Sequence, residues 1–485
     1  MNQEQLIGTV VEEVLRQMGP QRTLVSPSRA NKSGGNVGGN AAGAQAPTES
    51  GIFNDVDAAV EQATRSQQQL VAAGLAARDG ICRLFKRMTR DNSQEWGRIE
   101  FEETKIGRLD HKVVKLELLD AVPGVEFLHT PAHSGDLGVS LDEGAPWGVL
   151  GVIIPVTHSI PTLTSNAISM IAAGNAMVVN PHPSGAACAT MAAAAFNRAI
   201  KQKFDIDPLI CLIEKPTLRS AEEIFRHERI PLLAVTGGPG VARAALKQAK
   251  RAIVAGPGNP PVVVDETADL DNAARSIIQG AAFDNNLLCI GEKEVFVVSS
   301  VYDAMFDTMR RAGAVELSTP QVDQLARQVF THEQDHYALK KEYVGADPHV
   351  LGNLIGANVP QGTDLIFGEC DESNPFVSEE QMMPFVPFLR VPDFERAVDM
   401  AIKYEHGFGH TAVIHSTNLE RITQMGRAIN TTLFVANGPS TACLGAGGEG
   451  YASYSIATPT GEGVTNPLTF TRFRRLAVAG SLRIV

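Results

Sequence analysis

Hydrophobic residues fall into two rhythms along this chain, and the alternation between them predicts its architecture. Apolar, β-branched runs occur as 147-WGVLGVIIPV, 175-NAMVVNP, 228-ERIPLLAVTG, 251-RAIVAG and 260-PPVVVD. Between them lie stretches with apolar residues at helical spacing, such as 162-TLTSNAISMIAAG and 184-SGAACATMAAAAFNRAIKQ. Continuous apolar strands alternating with helices are the pattern of a mainly parallel sheet covered on both faces. A second series, 292-EKEVFVVSS, 384-PFVPFLRV, 410-HTAVIHS and 431-TTLFVAN, predicts a second α/β domain after about residue 260. The final 468-LTFTRFRRLAVAGSLRIV alternates like a strand and suits pairing with a neighbouring subunit.

The first residues follow another pattern. Leu6, Ile7, Val10, Val11, Val14, Leu15 and Met18 share one face of a short helix, with Glu4, Glu12, Glu13, Arg16 and Gln17 mostly opposite. Residues 19–50 are rich in Gly, Ala, Ser, Asn and Pro, have no aromatic residue, and cannot bury a core. As a flexible coil, roughly 32 residues span about 30 Å r.m.s., so residues 1–18 are expected to be tethered to the body rather than built into it. A helix this short is marginal alone in water, and its apolar stripe favours docking on another protein.

With 485 residues, 44% of them hydrophobic, the chain has room for two or three domains. A formal net charge of -12 without any long Lys/Arg cluster argues against nucleic acid as a partner. Cys82, Cys188, Cys211, Cys289, Cys370 and Cys443 form no C-x-x-C pair, so neither a disulfide framework nor a cysteine zinc site is expected, and a reducing cytoplasm fits. No apolar run is long enough for a membrane span, and the N-terminus lacks the features of a secretory signal. His406 and His410 stand four apart, but Gly407 and Gly409 between them predict a loop rather than a metal-binding helix, and no metal is expected.

A literal G-x-G-x-x-G occurs at Gly445, Gly447 and Gly450, yet 451-YASYSIATPTGEG offers no helix after it, so a structural loop is expected there. In 233-LAVTGGPGVARAALKQA a strand ends in a glycine turn and a helix begins, the right order for a phosphate site and equally the order of an ordinary crossover. In 283-FDNNLLCIGEKEVFVV, Cys289 sits at a polar-to-apolar transition just before a strand, with Gly291 allowing close backbone approach. On these residues alone Cys289 is either core filler or a nucleophile.

Taken together, 172-AAGNAMVVNPHPS, 235-VTGGPG, 256-GPGNPPVVVDETADL, 283-FDNNLLCIGEK, 448-GEGY and 456-IATPTGEGVT resemble, in order and spacing, the aldehyde dehydrogenase superfamily. The resemblance is to its CoA-acylating branch, typified by propionaldehyde and acetaldehyde dehydrogenases of bacterial microcompartments, and runs from about Gly51 to the C-terminus. It implies an α/β, aldehyde dehydrogenase-like fold of two Rossmann-like domains plus a β oligomerisation segment. The implied divisions are an encapsulation helix at 1–18, a linker at 19–50, a dinucleotide-binding domain at 51–257, a catalytic domain at 258–447 and a C-terminal segment at 448–485.

The resemblance makes Cys289 the nucleophile: its thiolate attacks the aldehyde, hydride leaves to NAD, and a thioester remains. The Cys289 backbone N–H and Thr157 are the implied donors to the oxyanion. Thr236, Gly237 and Gly238 match the segment against the cofactor pyrophosphate. Asn180, Pro181, His182 and Pro183 match the strand end beside the adenosine ribose, Gly256 another cofactor position, and Glu380 the nicotinamide ribose ligand. No acidic residue at Asn180 or Pro183 repels a 2′-phosphate; NAD rather than NADP is expected from family habit alone.

Two departures bear on mechanism. Where hydrolytic members carry Glu-Leu-Gly-Gly-Lys, whose glutamate helps activate water, this chain has Ala255-Gly256-Pro257-Gly258-Asn259. Losing a general base slows water attack by typically about 10²- to 10⁴-fold, whereas the thiol of coenzyme A still attacks a thioester. The expected reaction is therefore oxidation of a short-chain aldehyde, propionaldehyde by resemblance, to its acyl-CoA, with reversal through the same site open. The alternatives are a hydrolytic enzyme releasing free acid and a degenerate scaffold protein. Secondly, Thr157-His158-Ser159-Ile160 replaces the branch's common Thr-Asn-Pro-Thr, leaving His158 either a packing residue or an aid to proton transfer. The N-terminal helix resembles encapsulation peptides, which implies a shell-protein partner, a place inside a cytoplasmic microcompartment, and a homo-oligomer, dimer or tetramer.

Overall fold

The computed structural model describes residues 50–333 and 336–485. The helix expected at 1–18 and the linker expected at 19–50, save Ser50, lie outside the described residues.

Two parallel sheets carry the fold. The first has six strands in the order Ile52–Phe53, Ile210–Ile213, Ala176–Pro181, Val149–Ile154, Leu232–Thr236 and Arg251–Ala255. Val149–Ile154 and Ala176–Pro181 are buried at every position, which explains their unbroken apolar runs: a strand covered on both faces has no polar side to alternate with. Helices Val56–Asp91, Ser159–Ala172 and Ala186–Phe204 supply much of that cover. The strand order reverses beside Val149–Ile154, whose neighbours Ala176–Pro181 and Leu232–Thr236 lie on opposite sides. Such a reversal opens a crevice at the carboxyl ends of the strands.

The second sheet has seven parallel strands, ordered Val315–Leu317, Ile366–Glu369, Phe385–Val391, Glu294–Val298, Pro261–Val264, Thr411–His415 and Leu433–Ala436. Separate apolar clusters cover its two faces, with Val263 and Phe296 in one and Val262 and Val295 in the other, as the period-2 alternation of a strand requires.

The C-terminal strand forms where its alternation predicts it. Thr471–Ala479 pairs within its own chain, antiparallel to Gly138–Pro146 from Thr471↔Pro146 to Ala479↔Gly138. Ala132–Gly135 completes this three-stranded sheet, in which Thr471–Ala479 is an edge with Phe473 and Leu476 exposed. Its partner was hidden because Gly138–Pro146 is polar, half-exposed and remote in sequence. Ala452, Ala457 and Phe470, which precede that strand, return to the core of the first sheet.

Candidate active site

The candidate residues gather at strand ends in both sheets. In the first sheet, the carboxyl ends release Thr157 after Ile154, His182 after Pro181, Gly237 after Thr236 and Gly256 after Ala255. In the second sheet, residues just before the amino ends of four neighbouring strands assemble Gly258, Cys289, Glu380 and His410.

Cys289 is held by an unusual loop. After helix Leu270–Ala282, residues Asp284, Asn285 and Asn286 take φ of 50°, 54° and 61°. Three successive left-handed residues are tolerable only for side chains able to hydrogen-bond nearby backbone, and each does so here or ties to another element. Asp284 Oδ1 accepts from Arg108 N at 2.9 Å. Asn285 Nδ2 donates to Gly345 O at 2.9 Å and Asp347 Oδ1 at 2.8 Å, and Asn286 Nδ2 donates to Glu292 O at 3.0 Å. Lys293 Nζ donates to Asn286 O and Oδ1 at 2.8 and 2.9 Å.

Cys289 itself is half-buried, whereas Cys82, Cys188, Cys211 and Cys370 are buried. A Cβ on Gly258 would stand 2.4 Å from the Cys289 carbonyl oxygen and 3.0 Å from the His410 ring, so this close approach requires glycine. Burial, with Glu380 acting in the same direction and Lys293 against, pushes the Cys289 thiol up to about 12. The side chain rests as a thiol.

Beside it lies a cavity of about 130 Å³ lined by Val114, Leu118, Phe283, Leu288, Leu444 and Tyr454 among others. Phe283, Leu444 and Tyr454 also pack with Cys289 around Leu288 and Ile290. The walls are chiefly apolar, a match for a short alkyl chain. A wider groove along the outer face of helix Leu419–Ile429 touches none of these residues.

Two groups of buried charges attach to the loop that carries Cys289. In the first, Lys112 and Lys115 Nζ donate to the Thr157 carbonyl at 2.8 and 3.0 Å. Lys115 also pairs with Asp284, while Lys112 lies 3.4 Å from both Asp284 and Glu100. Thr157 Oγ1 is 3.3 Å from His158 Nε2. His158 is buried, its Nδ1 has no partner, and burial together with the two lysines drives its pKa well below the usual range, so the ring is neutral. Its ring packs against Tyr454 at 5.8 Å.

The second group is rich in acids. Glu292 accepts from Ser440 N and Oγ at 2.8 and 2.9 Å, and burial raises it to about 7. Glu294 is fully buried with neither carboxylate oxygen partnered, and burial raises it well above the usual range. Burial also raises Glu380 and Glu405. Glu405 accepts from His410 N at 2.7 Å. The His410 ring joins Thr411 Oγ1 through Nδ1 at 2.8 Å, leaves Nε2 without a partner, and is lowered to about 4 by burial and then Lys293.

The residues matched to the cofactor lie along the crevice of the first sheet. Asn180 accepts from Ser220 Oγ at 2.6 Å, and His182 Nδ1 accepts from Ser184 N at 3.1 Å. Thr236 Oγ1 lies 2.8 Å from Ser455 Oγ, and Gly238 caps helix Pro239–Leu246 with open space where a Cβ would be. An open helix N-terminus presents unpaired N–H groups, which suits a pyrophosphate. Gly256 packs so closely on Pro459 that a Cβ would come within 2.7 Å. No ionisable group stands between 255 and 259: Ala255 is buried, and the Asn259 amide donates to Val377 O at 3.2 Å and Tyr404 O at 2.9 Å. The loop containing Gly445, Gly447 and Gly450 takes positive φ at all three and leads into no helix. Among the described residues no group of three or more His, Cys, Asp or Glu side chains is disposed to hold a metal ion, and no helix is long and apolar enough to cross a membrane.

The sequence reading overlooked His410, Lys112, Lys115 and Asp284. A signal existed for the lysines, since 109-LDHKVVKLE sets both on a helix whose Val113 and Leu116 are buried.

The chain is similar to known proteins along most of its length. The model of the aldehyde dehydrogenase family matches residues 45–454. The acetylating acetaldehyde dehydrogenase EutE of Salmonella typhimurium is 41% identical over 90% of this chain and 94% of its own. A propionaldehyde dehydrogenase from the fucose-utilisation microcompartment of Clostridium phytofermentans is similar in structure, with TM-score 0.87 and 39% identity over 90% of this chain and 100% of that one. The propionaldehyde dehydrogenase of Rhodopseudomonas palustris, solved with bound CoA and an acylated cysteine, gives TM-score 0.86 and 39% identity over 90% and 100%.

Proposed function

This chain belongs to the aldehyde dehydrogenase family, and from that premise we propose that it oxidises a short-chain aldehyde, propionaldehyde foremost, through a thioester on Cys289 and passes the acyl group to coenzyme A. The observation that carries the CoA step is the segment beside the nucleophile. Gly258 touches the Cys289 carbonyl, and none of residues 255–259 carries a group able to activate water.

The chain's own groups divide the work. The apolar cavity takes the alkyl chain and sets the aldehyde carbonyl beside Cys289 Sγ. Lys293 favours the thiolate that must form, because a nearby positive charge stabilises it. The Cys289 N–H and Thr157 receive the developing oxyanion. Asn180, Pro181 and His182 would hold the adenosine ribose, Thr236, Gly237 and Gly238 the pyrophosphate, Gly256 the neighbouring stretch, and Glu380 the nicotinamide ribose. NAD, when bound, supplies the hydride acceptor. With Nδ1–H donating to Thr411 Oγ1, neutral His410 offers its Nε2 lone pair to the proton of the incoming thiol.

Residues 1–18 dock on a microcompartment shell protein in this reading, and the exposed edge with Phe473 and Leu476 joins copies of the chain into a dimer or tetramer. Deleting residues 1–18 then leaves turnover intact and abolishes co-localisation with a shell; loss of turnover contradicts it.

The test of function is to incubate the purified chain with propionaldehyde and NAD, with and without coenzyme A, following NADH and identifying the product by mass. Sustained turnover only with CoA, giving propionyl-CoA and absent in Cys289→Ala, is expected. Free acid formed at a comparable rate without CoA overturns the reading.

A further inference from the structure

Four segments meet at one buried quartet of charges. Lys112 and Lys115 come from helix Leu109–Glu117, Glu100 from helix Ser93–Thr104, and Asp284 from the loop before Cys289. The fourth segment is the turn at Thr157, which runs into helix Ser159–Ala172. Glu100 Oε2 accepts from Ile160 N at 2.9 Å and so fixes the start of that helix. A carbonyl oxygen has two lone pairs, and at Thr157 two ammonium groups use them.

We propose that Lys112, Lys115 and Asp284 are positioning residues that lock the Thr157 turn to the nucleophile loop, so that the oxyanion donor and Cys289 meet the aldehyde carbonyl in one geometry. This rests on the reading of Cys289 as nucleophile and Thr157 as oxyanion donor. Mere space-filling does not account for the arrangement. Charges taken out of water are costly, and apolar residues of similar volume would fill the same place at no loss of stability. What apolar residues would lack is direction. The lysines fix the orientation of one peptide plane, that of Thr157, and tie it to the Asp284 carboxylate. Asp284 in turn begins the left-handed run Asp284–Asn286, which stops three residues before Cys289, and its N–H donates to His111 Nδ1 at 2.8 Å. A Cβ on Gly107 would come within 2.1 Å of Asp284 Oδ1, so the carboxylate has little freedom to turn aside. The cavity wall is attached to the same helix, because Tyr454 hydroxyl donates to Lys115 O at 2.8 Å and Val114 lies between the lysines.

The test uses the full chain in single-turnover NADH formation with propionaldehyde and NAD, without CoA. Thr157→Val, Lys115→Met and the double variant are compared, with Cys289→Ala as the blank. Each single variant is expected to slow the step about 10²-fold, with half-saturation by aldehyde within about threefold of wild type. The double variant should be no slower than the slower single one, because the lysine acts through Thr157. Alkylation of Cys289 by iodoacetamide, which needs no oxyanion donor, should change by less than about threefold in Lys115→Met. A folded Lys115→Met at the wild-type rate, or a double variant whose loss is the product of the two, overturns the clamp. Thr157→Val at the wild-type rate overturns the oxyanion reading and the clamp with it; NADH formation by Cys289→Ala overturns the nucleophile itself. If Lys115→Met fails to fold, Lys112→Met, which removes the other donor on the same carbonyl, decides between the same outcomes.

Discussion

Two buried charge clusters attach to the loop that carries Cys289, one through Asp284 and one through Lys293, and they are built on different terms. Around Asp284, two lysines face two carboxylates at close range. Around Lys293, three acids, Glu292, Glu294 and Glu380, act on a single ammonium group, Glu405 acts on Glu294, and the Glu294 carboxyl has no hydrogen-bond partner. A buried charge persists only when paired; an unpaired carboxyl keeps its proton instead. The first cluster therefore fixes geometry with paired charges, although burial lowers the Lys115 ammonium to about 8, while the second is a place where protons are held. An enzyme that must align a thiolate with a carbonyl and also dispose of protons has use for both.

The contrast predicts very different responses to removing one negative charge. Asp284→Asn strands two ammonium groups beside Glu100 alone, and breaking a buried pair in this way costs about 3–5 kcal/mol. Unfolding of the full chain in urea should show it as a lowered midpoint at constant slope. A loss below about 1 kcal/mol would mean that the quartet is as weak as a surface pair, and would remove the distinction between the clusters.

The next effect in size belongs to the proton-handling side. His410→Ala should slow CoA-dependent steady-state turnover about 10²-fold, the usual contribution of a general base, while the first NADH formed per active site appears at close to the wild-type rate. Mass analysis of the trapped protein would then find the acyl group on Cys289. Loss of that first NADH instead places His410 in acylation.

What the sequence disclosed follows the same division. Strands buried on both faces announce themselves as apolar runs, and Cys289 stands in a segment where order and spacing are informative. His410 was correctly placed in a glycine-broken loop before a strand, yet its importance depends on strand register. Val413 pairs with Val262 and Ile414 with Val263, so the residue before Thr411 comes beside Gly258. No local pattern encodes a pairing across about 150 residues. The quartet was invisible for a related reason: Glu100, Lys112, Lys115 and Asp284 are ordinary residues until their segments converge at the Thr157 turn. The polar strand Gly138–Pro146 escaped notice because its partner, not its own composition, makes it a strand.

A smaller effect sharpens the comparison from the other side. Glu294→Gln replaces a carboxyl already held neutral by an isosteric neutral amide, and stability at pH 7 should change by no more than about 1 kcal/mol. Denaturation beside Asp284→Asn reads the two directly. A Glu294 variant as damaged as the Asp284 one would show that Glu294 is ionised and paired.

The smallest effect is a slope. His415, distant from the nucleophile loop in sequence, is buried with neither ring nitrogen partnered, and burial lowers it from 6.5 to about 4. Below pH 6.5 the unfolded chain takes up a proton there that the fold refuses, so this residue's contribution to stability is lost as pH falls from 6.5 toward 4. Glu292 runs the other way. Its pKa is raised from 4.5 to about 7, so the fold keeps a proton that the unfolded chain releases, and stability is lost as pH rises from 4.5 to 7. Each proton is worth about 1.4 kcal/mol per pH unit at full slope. Between pH 6 and 5, His415→Leu should therefore lose less stability than wild type, by about 1 kcal/mol. Glu292→Gln should lose more than wild type over the same interval, because it lacks the gain that protonating the folded acid provides. Parallel slopes for all three proteins would mean that neither burial shifts titration. Opposite deviations would show that Glu292 keeps in the fold a proton that the unfolded chain has released, while His415 refuses one that the unfolded chain has taken up.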